Sequence, residues 1–197
     1  MIELFGEQIT VAELTGTIFG IAGVWLTLKQ KVLCFPVGIV NVALYSWLFF
    51  RSKLYSDAIL QLVYIVLLIY GWYQWSRGTK ASELTVTKTS KKLSGYLFLV
   101  CILSTAAIGT FFRYNTNASL PYIDSLTTSM SLIAQWMVAK KKIENWIIWI
   151  VADIIYVCMY VYKHLYLTSF LYFIFIVLAV IGFVEWRKEM KKSLLVN

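Results

Sequence analysis

The residues that could do chemistry in this chain are polar and aromatic side chains set inside long apolar segments. A polar side chain in lipid is costly unless it has a partner or lines a wet cavity. Asp153 stands near the middle of one apolar segment, and Trp149 and Trp146 precede it by four and seven residues. These spacings put the carboxylate and both indoles on one helical face. A carboxylate beside aromatic rings suits an organic cation, which it attracts by charge and by cation–π contact.

Two other interpretations of Asp153 stay open at this point. The carboxylate could carry a proton or bind a sodium ion, since acids inside membrane segments often serve in such relays. It could also be a buried structural acid that hydrogen-bonds a neighbouring helix.

Three further segments carry polar residues at helical spacing, so each set lies on one stripe. The candidate binding residues among them are Asn41 and Tyr45; Asp57, Gln61 and Tyr64; and Asp124, Thr128 and Gln135, with Ser131 on the same stripe. Amide, carboxylate and aromatic groups on four stripes predict one shared interior cavity. The alternative is that the stripes only hold helices together.

Known catalytic patterns are missing from the sequence. There is no GxxxxGK[ST] loop for nucleotide hydrolysis and no HExxH motif for a metal. We therefore predict that the protein is not an enzyme and needs no cofactor and no metal. The net charge of +8 does not indicate nucleic-acid binding, because the basic residues lie in loops between apolar runs.

Composition predicts a protein of the lipid bilayer. Hydrophobic residues make up 60% of the 197, and the mean hydropathy is +0.73. Each apolar segment approaches the ~20 residues that a hydrocarbon core requires. The fold class is therefore an all-α membrane protein with seven transmembrane helices, at 10–28, 33–50, 55–76, 94–112, 121–139, 145–162 and 165–186.

The sequence contains an internal repeat, in which residues 25–75 return at 136–186 after 111 positions without a gap. Residues 1–197 thus form one transporter domain, with a three-helix repeat at 10–76, a linker helix at 94–112 and a second repeat at 121–186. A duplicated membrane unit is a recurring plan of solute transporters, with the site between the halves. Trp75 and Trp186, identical in both copies, read as interfacial belt residues, and residues 77–93 as a solvated linker.

Basic residues predict the orientation. Fourteen of the 18 Lys and Arg lie in the connections after helices 1, 3 and 5 and in the C-terminal tail. The positive-inside rule makes that side cytoplasmic, with the N-terminus outside and the C-terminus inside. The single linker helix restores the direction of the second repeat. The arrangement is then a 3+1+3 parallel repeat of the SWEET-like class.

The same residues resemble the PnuC family of vitamin transporters over residues 10–190. The resemblance rests on an Asn-x-x-x-Tyr pair at Asn41 and Tyr45, a run from Tyr55 through Asp57 and Gln61 to Tyr64, and a Trp-x-x-Trp pair at Trp146 and Trp149. It implies facilitated diffusion of nicotinamide riboside across the bacterial inner membrane, followed by phosphorylation by a cytosolic kinase for NAD synthesis.

Within that resemblance, the Trp-x-x-Trp pair would stack the aromatic ring, and Asn41, Gln61 and Gln135 would take hydroxyl or amide groups. Close relatives carry thiamine and others are linked to riboflavin, so thiamine uptake is the alternative. A membrane receptor or sensor is a more distant hypothesis, and an intramembrane enzyme is remote. Whether the chain forms a homo-oligomer stays open.

Overall fold

The structure is a computed structural model that describes residues 2–4, 7–9, 11–51, 55–77, 84–116, 119–162 and 164–196. Within these residues the chain forms seven α-helices, as predicted. They are α1 (Val11–Leu28), α2 (Cys34–Arg51), α3 (Tyr55–Ser76), α4 (Lys91–Asn115), α5 (Pro121–Ala139), α6 (Asn145–Tyr162) and α7 (Tyr166–Val196). A short antiparallel hairpin of β1 (Ile2–Leu4) and β2 (Glu7–Ile9) precedes α1.

Two helices are longer than the apolar segments predict. α4 begins at Lys91 because Ser90 caps it, its hydroxyl oxygen accepting the Leu93 N–H at 3.3 Å. α7 continues past 186 into the charged tail. There Lys188 pairs with Glu185 one turn earlier, with 3.0 Å between nitrogen and oxygen, and such pairs support an exposed helical turn.

The seven helices differ in length and in mean hydropathy. Four described helices are long and apolar enough to span a bilayer, at Ala58–Ser76, Lys91–Asn115, Asn145–Tyr162 and Tyr166–Ser193. α1 and α2 supply the shorter apolar stretches Leu14–Leu28 and Cys34–Leu48. α5 is less apolar than these helices because it is rich in the hydroxyl groups of Ser and Thr. It is packed against α3, α4 and α6, so these groups are turned toward other helices and not toward lipid.

The described helices form a closed ring in the order α1, α2, α3, α5, α6, α7, with α7 returning to α1. α4 lies outside the ring against α5. Each contact of one half has a counterpart in the other: α1–α2 matches α5–α6, α2–α3 matches α6–α7, and α3–α5 matches α7–α1. The main contact of the linker helix is with α5 of the second half.

The same hydrogen bonds recur in both halves at the 111-residue offset. The Trp75 indole N–H donates to the Val138 carbonyl oxygen at 3.3 Å, and the Trp186 indole donates to the Thr27 carbonyl oxygen at 3.3 Å. Thr27 and Val138 are equivalent positions near the ends of α1 and α5, where helix carbonyls can accept bonds from outside. The duplicated sequence thus folds into two units with equivalent contacts.

Four rings, here called the aromatic closure, lie together near the α1–α2 and α5–α6 turns. Phe35 meets Trp75 edge to face with centroids 5.0 Å apart, Trp146 meets Trp186 likewise at 5.4 Å, and Trp75 touches Trp186 at 6.1 Å. Trp75 is 8% exposed and Trp186 is 0% exposed. The belt prediction for these two tryptophans is wrong, because each indole N–H bonds to a carbonyl of the opposite half.

We call the end of the bundle at these turns the basic end, since Lys29, Lys31 and residues 140–142 lie there. The segment 84–90 also packs at this end. The Thr87 N–H donates to the Lys141 carbonyl at 3.0 Å, and the Ile143 N–H donates to the Thr87 carbonyl at 3.1 Å.

Two further contacts hold the same segment. The Glu144 carboxylate accepts from the Thr89 hydroxyl at 2.7 Å and from the Thr89 N–H at 3.0 Å. Val86 is 4% exposed and belongs to the cluster around the aromatic closure. The prediction of a solvated linker therefore holds only in part for residues 84–90: four of their seven side chains are exposed, but Val86 is buried and the backbone of Thr87 is hydrogen-bonded to the α5–α6 turn.

Candidate binding site

The centre of the candidate site is Asp153 on α6. Its side chain is 4% exposed, and no hydrogen bond or charge among the described residues compensates it. At 1.5 Å of rise per residue, it lies about 10 Å along α6 from Trp146 and the aromatic closure. A buried carboxylate without a partner is costly, so a cationic ligand would supply what the site lacks.

Three tyrosines stand beside this carboxylate. Tyr172 of α7 packs on Tyr156 and Tyr160 of α6, with ring centroids 4.6 and 5.2 Å apart. Tyr156 and Tyr172 lie within electrostatic range of Asp153. Phe175 extends the wall, 5.7 Å from the Tyr172 ring. The α6–α7 interface thus joins one carboxylate to a wall of aromatic rings, which is the composition that attracts an organic cation.

α3 and α5 complete the surroundings. The Tyr64 phenol of α3 lies near Tyr156 and near the Ser131 hydroxyl of α5. Tyr156 also lies near Ser131 and Thr127, and Asp124 is within electrostatic range of it. The structure therefore brings Tyr64, Asp124 and Asp153 to one region, as the stripes predict.

Asn41 and Tyr45 of α2 serve a different purpose in the structure. The Asn41 amide nitrogen donates to the Gly16 carbonyl oxygen of α1 at 2.8 Å. The Tyr45 ring lies so close to Gly16 that an added Cβ there would be 2.7 Å away. Both side chains hold α2 against the glycine face of α1, so we do not retain them as ligand contacts.

The two tryptophans of the Trp-x-x-Trp pair have separate environments. Trp146 is 2% exposed, and its ring is enclosed by Trp186 and by Gly182. Its equivalent in the first half is Phe35, and both rings belong to the aromatic closure; the buried Trp146 indole N–H has no hydrogen-bond partner among the described residues. Trp149 is half-buried at the edge of that cluster. It precedes Asp153 by four residues and so shares its helical face.

For most of the remaining predicted site residues, the structure gives burial but no specific contact. Gln61 of α3 and Thr128 and Gln135 of α5 are half-buried. The backbone of Asp57 lies in α3, but its side chain is outside the described part of the chain.

Sequence reasoning missed the Tyr160–Tyr172 pair and gave too little weight to Tyr156 and Ser131. The repeat carries a usable signal, because Tyr172 is the counterpart of Gln61 and Tyr156 of Tyr45. Tyrosines at 156 and 160 also lie one helical turn apart and on the Asp153 side of α6.

Two surface grooves lie elsewhere. One of about 490 Å³ runs between α2 and α3 past Ser46 and Ile59, and another of about 470 Å³ runs between α3, α4 and α5 past Leu67 and Ile133. Their described linings contain no carboxylate and no amide side chain. Both grooves have the composition of a lipid-facing surface, and the chemistry is concentrated at Asp153.

Comparison with known proteins agrees with this architecture. Residues 10–188 match the nicotinamide mononucleotide transporter family. The nicotinamide riboside transporter PnuC of Escherichia coli is 27% identical, with 92% of this chain and 87% of that protein covered. The riboflavin/roseoflavin transporter RibM of Streptomyces davaonensis is 26% identical, with 93% and 87% covered.

A crystal structure of the vitamin B3 transporter PnuC has the same fold. Its TM-score is 0.71 and its identity 21%, over 96% of both chains. The family match runs from the start of the bundle into α7, through the whole ring and the linker helix. The chain is therefore a multi-pass membrane transporter, not an enzyme, and it belongs to the nicotinamide mononucleotide transporter family.

Proposed function

We propose that the protein carries nicotinamide riboside across the inner membrane of a bacterium by facilitated diffusion. The observation that carries this proposal is the buried Asp153 carboxylate, which has no partner among the described residues and faces an aromatic wall. Nicotinamide riboside has a positively charged pyridinium ring and a neutral ribose. Its charge would compensate Asp153, and its ring would pack on Trp149 and Tyr172.

The negative charge of Asp153 also indicates which of the vitamins carried by related transporters would fit this site. Thiamine carries a cationic thiazolium ring, so its uptake is the second candidate. Riboflavin has no positive ring and would leave Asp153 uncompensated. A mononucleotide would bring a phosphate close to a buried carboxylate, and like charges at short range repel.

We propose a division of roles among the remaining candidate residues. Tyr64, Gln61 and Gln135 supply polar groups for the ribose and the carboxamide, because amides and phenols both donate and accept hydrogen bonds. Asp124 lies in the first turn of α5 and Thr128 one turn further along, so these two line the approach from the end opposite the basic end. Asp57, in the first turn of α3, stays a predicted contact.

The proposed orientation has the basic end in the cytoplasm, the N-terminus outside and the C-terminus inside. The unequal distribution of Lys and Arg supports it. Equivalent contacts in the two halves support a parallel, SWEET-like repeat with the site between them. With the basic end inside the cell, the aromatic closure would seal the cytoplasmic end, and release of the substrate would require its rings to separate.

No ion coupling is needed for this activity. A cytosolic kinase that phosphorylates the riboside would keep its internal concentration low and so draw uptake inward, without contact with the transporter. Asp153 then serves as the counter-charge of the substrate and not as a proton carrier.

The test is uptake of labelled nicotinamide riboside into proteoliposomes that contain no kinase. We expect the internal and external concentrations to become equal, with no accumulation when a proton or sodium gradient is imposed. Accumulation driven by either ion would overturn the facilitator mechanism. Uptake of thiamine but not of nicotinamide riboside would favour the second candidate.

A further inference from the structure

Ser131 of α5 is 2% exposed, and its hydroxyl oxygen has no hydrogen-bond partner among the described residues. Its neighbours on the helix behave differently. Ser125 donates to the Pro121 carbonyl at 2.7 Å, and Thr127 donates to the Asp124 carbonyl at 2.9 Å. A helical serine ordinarily has the carbonyl four residues earlier within reach. The Ser131 hydroxyl forgoes this bond, so it is oriented away from its own helix.

The groups that face Ser131 come from two other helices. The phenols of Tyr64 on α3 and Tyr156 on α6 are its nearby polar groups, but neither makes a hydrogen bond to the Ser131 hydroxyl in this structure. Tyr156 in turn lies within electrostatic range of Asp153. Ser131 therefore stands where α3, α5 and α6 meet, beside the proposed cation site.

The other half of the protein shows what is unusual about this position. The equivalent of Ser131 is Gly20, which lies next to the Asn41 amide and the Phe175 ring, at 3.0 and 3.6 Å from an added Cβ. In the second half, Ala152 replaces Asn41 and Tyr64 replaces Phe175.

These replacements change which polar groups surround the position. In the first half, the space beside Gly20 is occupied by the Asn41 side chain, whose amide is hydrogen-bonded to the Gly16 carbonyl oxygen. The second half has a hydroxyl and two phenols but no amide to pair with them. With a structural role alone the buried hydroxyl would stay unpaired, which destabilises the folded protein, whereas a ligand hydroxyl would satisfy it.

We propose that Ser131 is a further specificity-determining residue, whose hydroxyl, together with the phenols of Tyr64 and Tyr156, binds a hydroxyl group of the substrate. This inference rests on the proposed function and deepens it. It makes the substrate class a cationic aromatic ring that bears a hydroxylated substituent. A site built to bond a substrate hydroxyl discriminates against an analogue without it, because the polar groups of the protein are then left unpaired.

The test pairs a change in the protein with a change in the ligand. Binding of nicotinamide riboside and of its 2′-, 3′- and 5′-deoxy analogues is measured by calorimetry on the purified full-length parent and on Ser131→Ala. We expect Ser131→Ala to lower affinity for nicotinamide riboside roughly 2- to 10-fold, as for the loss of one neutral hydrogen bond. One deoxy analogue should bind the parent and Ser131→Ala equally.

Two more variants separate this role from folding. Ser125→Ala removes a buried hydroxyl of the same helix that bonds locally, and it should leave binding unchanged. Ser131→Gly copies the first half and should fold and bind like Ser131→Ala. The inference is overturned if Ser131→Ala and Ser131→Gly bind nicotinamide riboside like the parent, or if they weaken all three deoxy analogues equally. A parent that binds no nicotinamide riboside overturns the proposed function itself.

Discussion

Gly182 is the position at which one methyl group should most disturb the contact between α6 and α7. A Cβ added there would lie 2.7 Å from three carbons of the Trp146 ring, where ordinary contacts measure 3.4–4 Å. The Trp146 ring cannot retreat easily, because it is 2% exposed and meets Trp186 edge to face. Overpacking of a filled core costs about 1–3 kcal/mol. The helical preference of alanine over glycine returns about 0.5–1 kcal/mol. We therefore expect Gly182→Ala to lower the free energy of unfolding by roughly 0–2.5 kcal/mol, which is about 1 kcal/mol at the middle of these ranges.

The chain offers both a replicate and a control. Gly71 is the equivalent position and contacts Phe35 in the same way, so Gly71→Ala should also destabilise. Gly95 on α4 has no atom within 4 Å of an added Cβ, and Gly95→Ala should be neutral or slightly stabilising. Thermal unfolding of the purified variants in one detergent, followed by tryptophan fluorescence, makes the comparison. If Gly182→Ala unfolds at the same temperature as Gly95→Ala, the aromatic closure is not packed as described.

Three other predictions address binding, the linker and topology. Trp149→Ala should weaken binding of nicotinamide riboside roughly 5- to 150-fold, the effect of about 1–3 kcal/mol of lost stacking. Trp75→Ala should chiefly lower the unfolding temperature. Calorimetry and thermal unfolding make the comparison, and equal binding losses in the two variants would contradict the assignment of Trp149 to the site and Trp75 to the scaffold. Glu144→Gln removes the charge from the side chain that binds Thr89, so amide hydrogen exchange in residues 84–90 should accelerate. Glu189→Gln on the exposed tail should leave this exchange unchanged. Equal exchange rates in the two variants would show that Glu144 does not hold the segment. A cysteine placed at Asn197 in a cysteine-free background should resist impermeant labelling of intact cells, and external labelling there would reverse the orientation.

Periodicity and length predict the helices well. The α3, α5 and α6 bounds agree with the sequence, α1 begins one residue later than predicted, and α2 begins and ends one residue later. Apolar runs end where charged or turn residues begin, and in a membrane this boundary is also the end of the helix. α7 exceeds its predicted end because its charged tail stays helical, with Lys188 paired to Glu185 and Lys192 paired to Glu189 one turn apart.

The site was less accessible to sequence reasoning. A stripe predicts that a polar residue faces the interior, but it does not tell which group it meets there. The Asn41 amide is satisfied by a carbonyl of α1, while the Asp153 carboxylate meets no such donor among the described residues. Trp75 and Trp186 look like belt residues because they stand at helix ends. Only the contact between the two halves shows that they are buried.

The charge of the ligand gives the most direct test of the account. Calorimetry would compare the parent with Asp153→Asn, using nicotinamide riboside and its reduced form, in which the ring is neutral. Removing one partner of a buried charge pair costs about 2–5 kcal/mol, so Asp153→Asn should bind nicotinamide riboside at least roughly 30-fold more weakly than the parent. The reduced form should bind both proteins with similar affinity. If Asp153→Asn loses the same affinity for both ligands, or for neither, the carboxylate is not the counter-charge of the substrate.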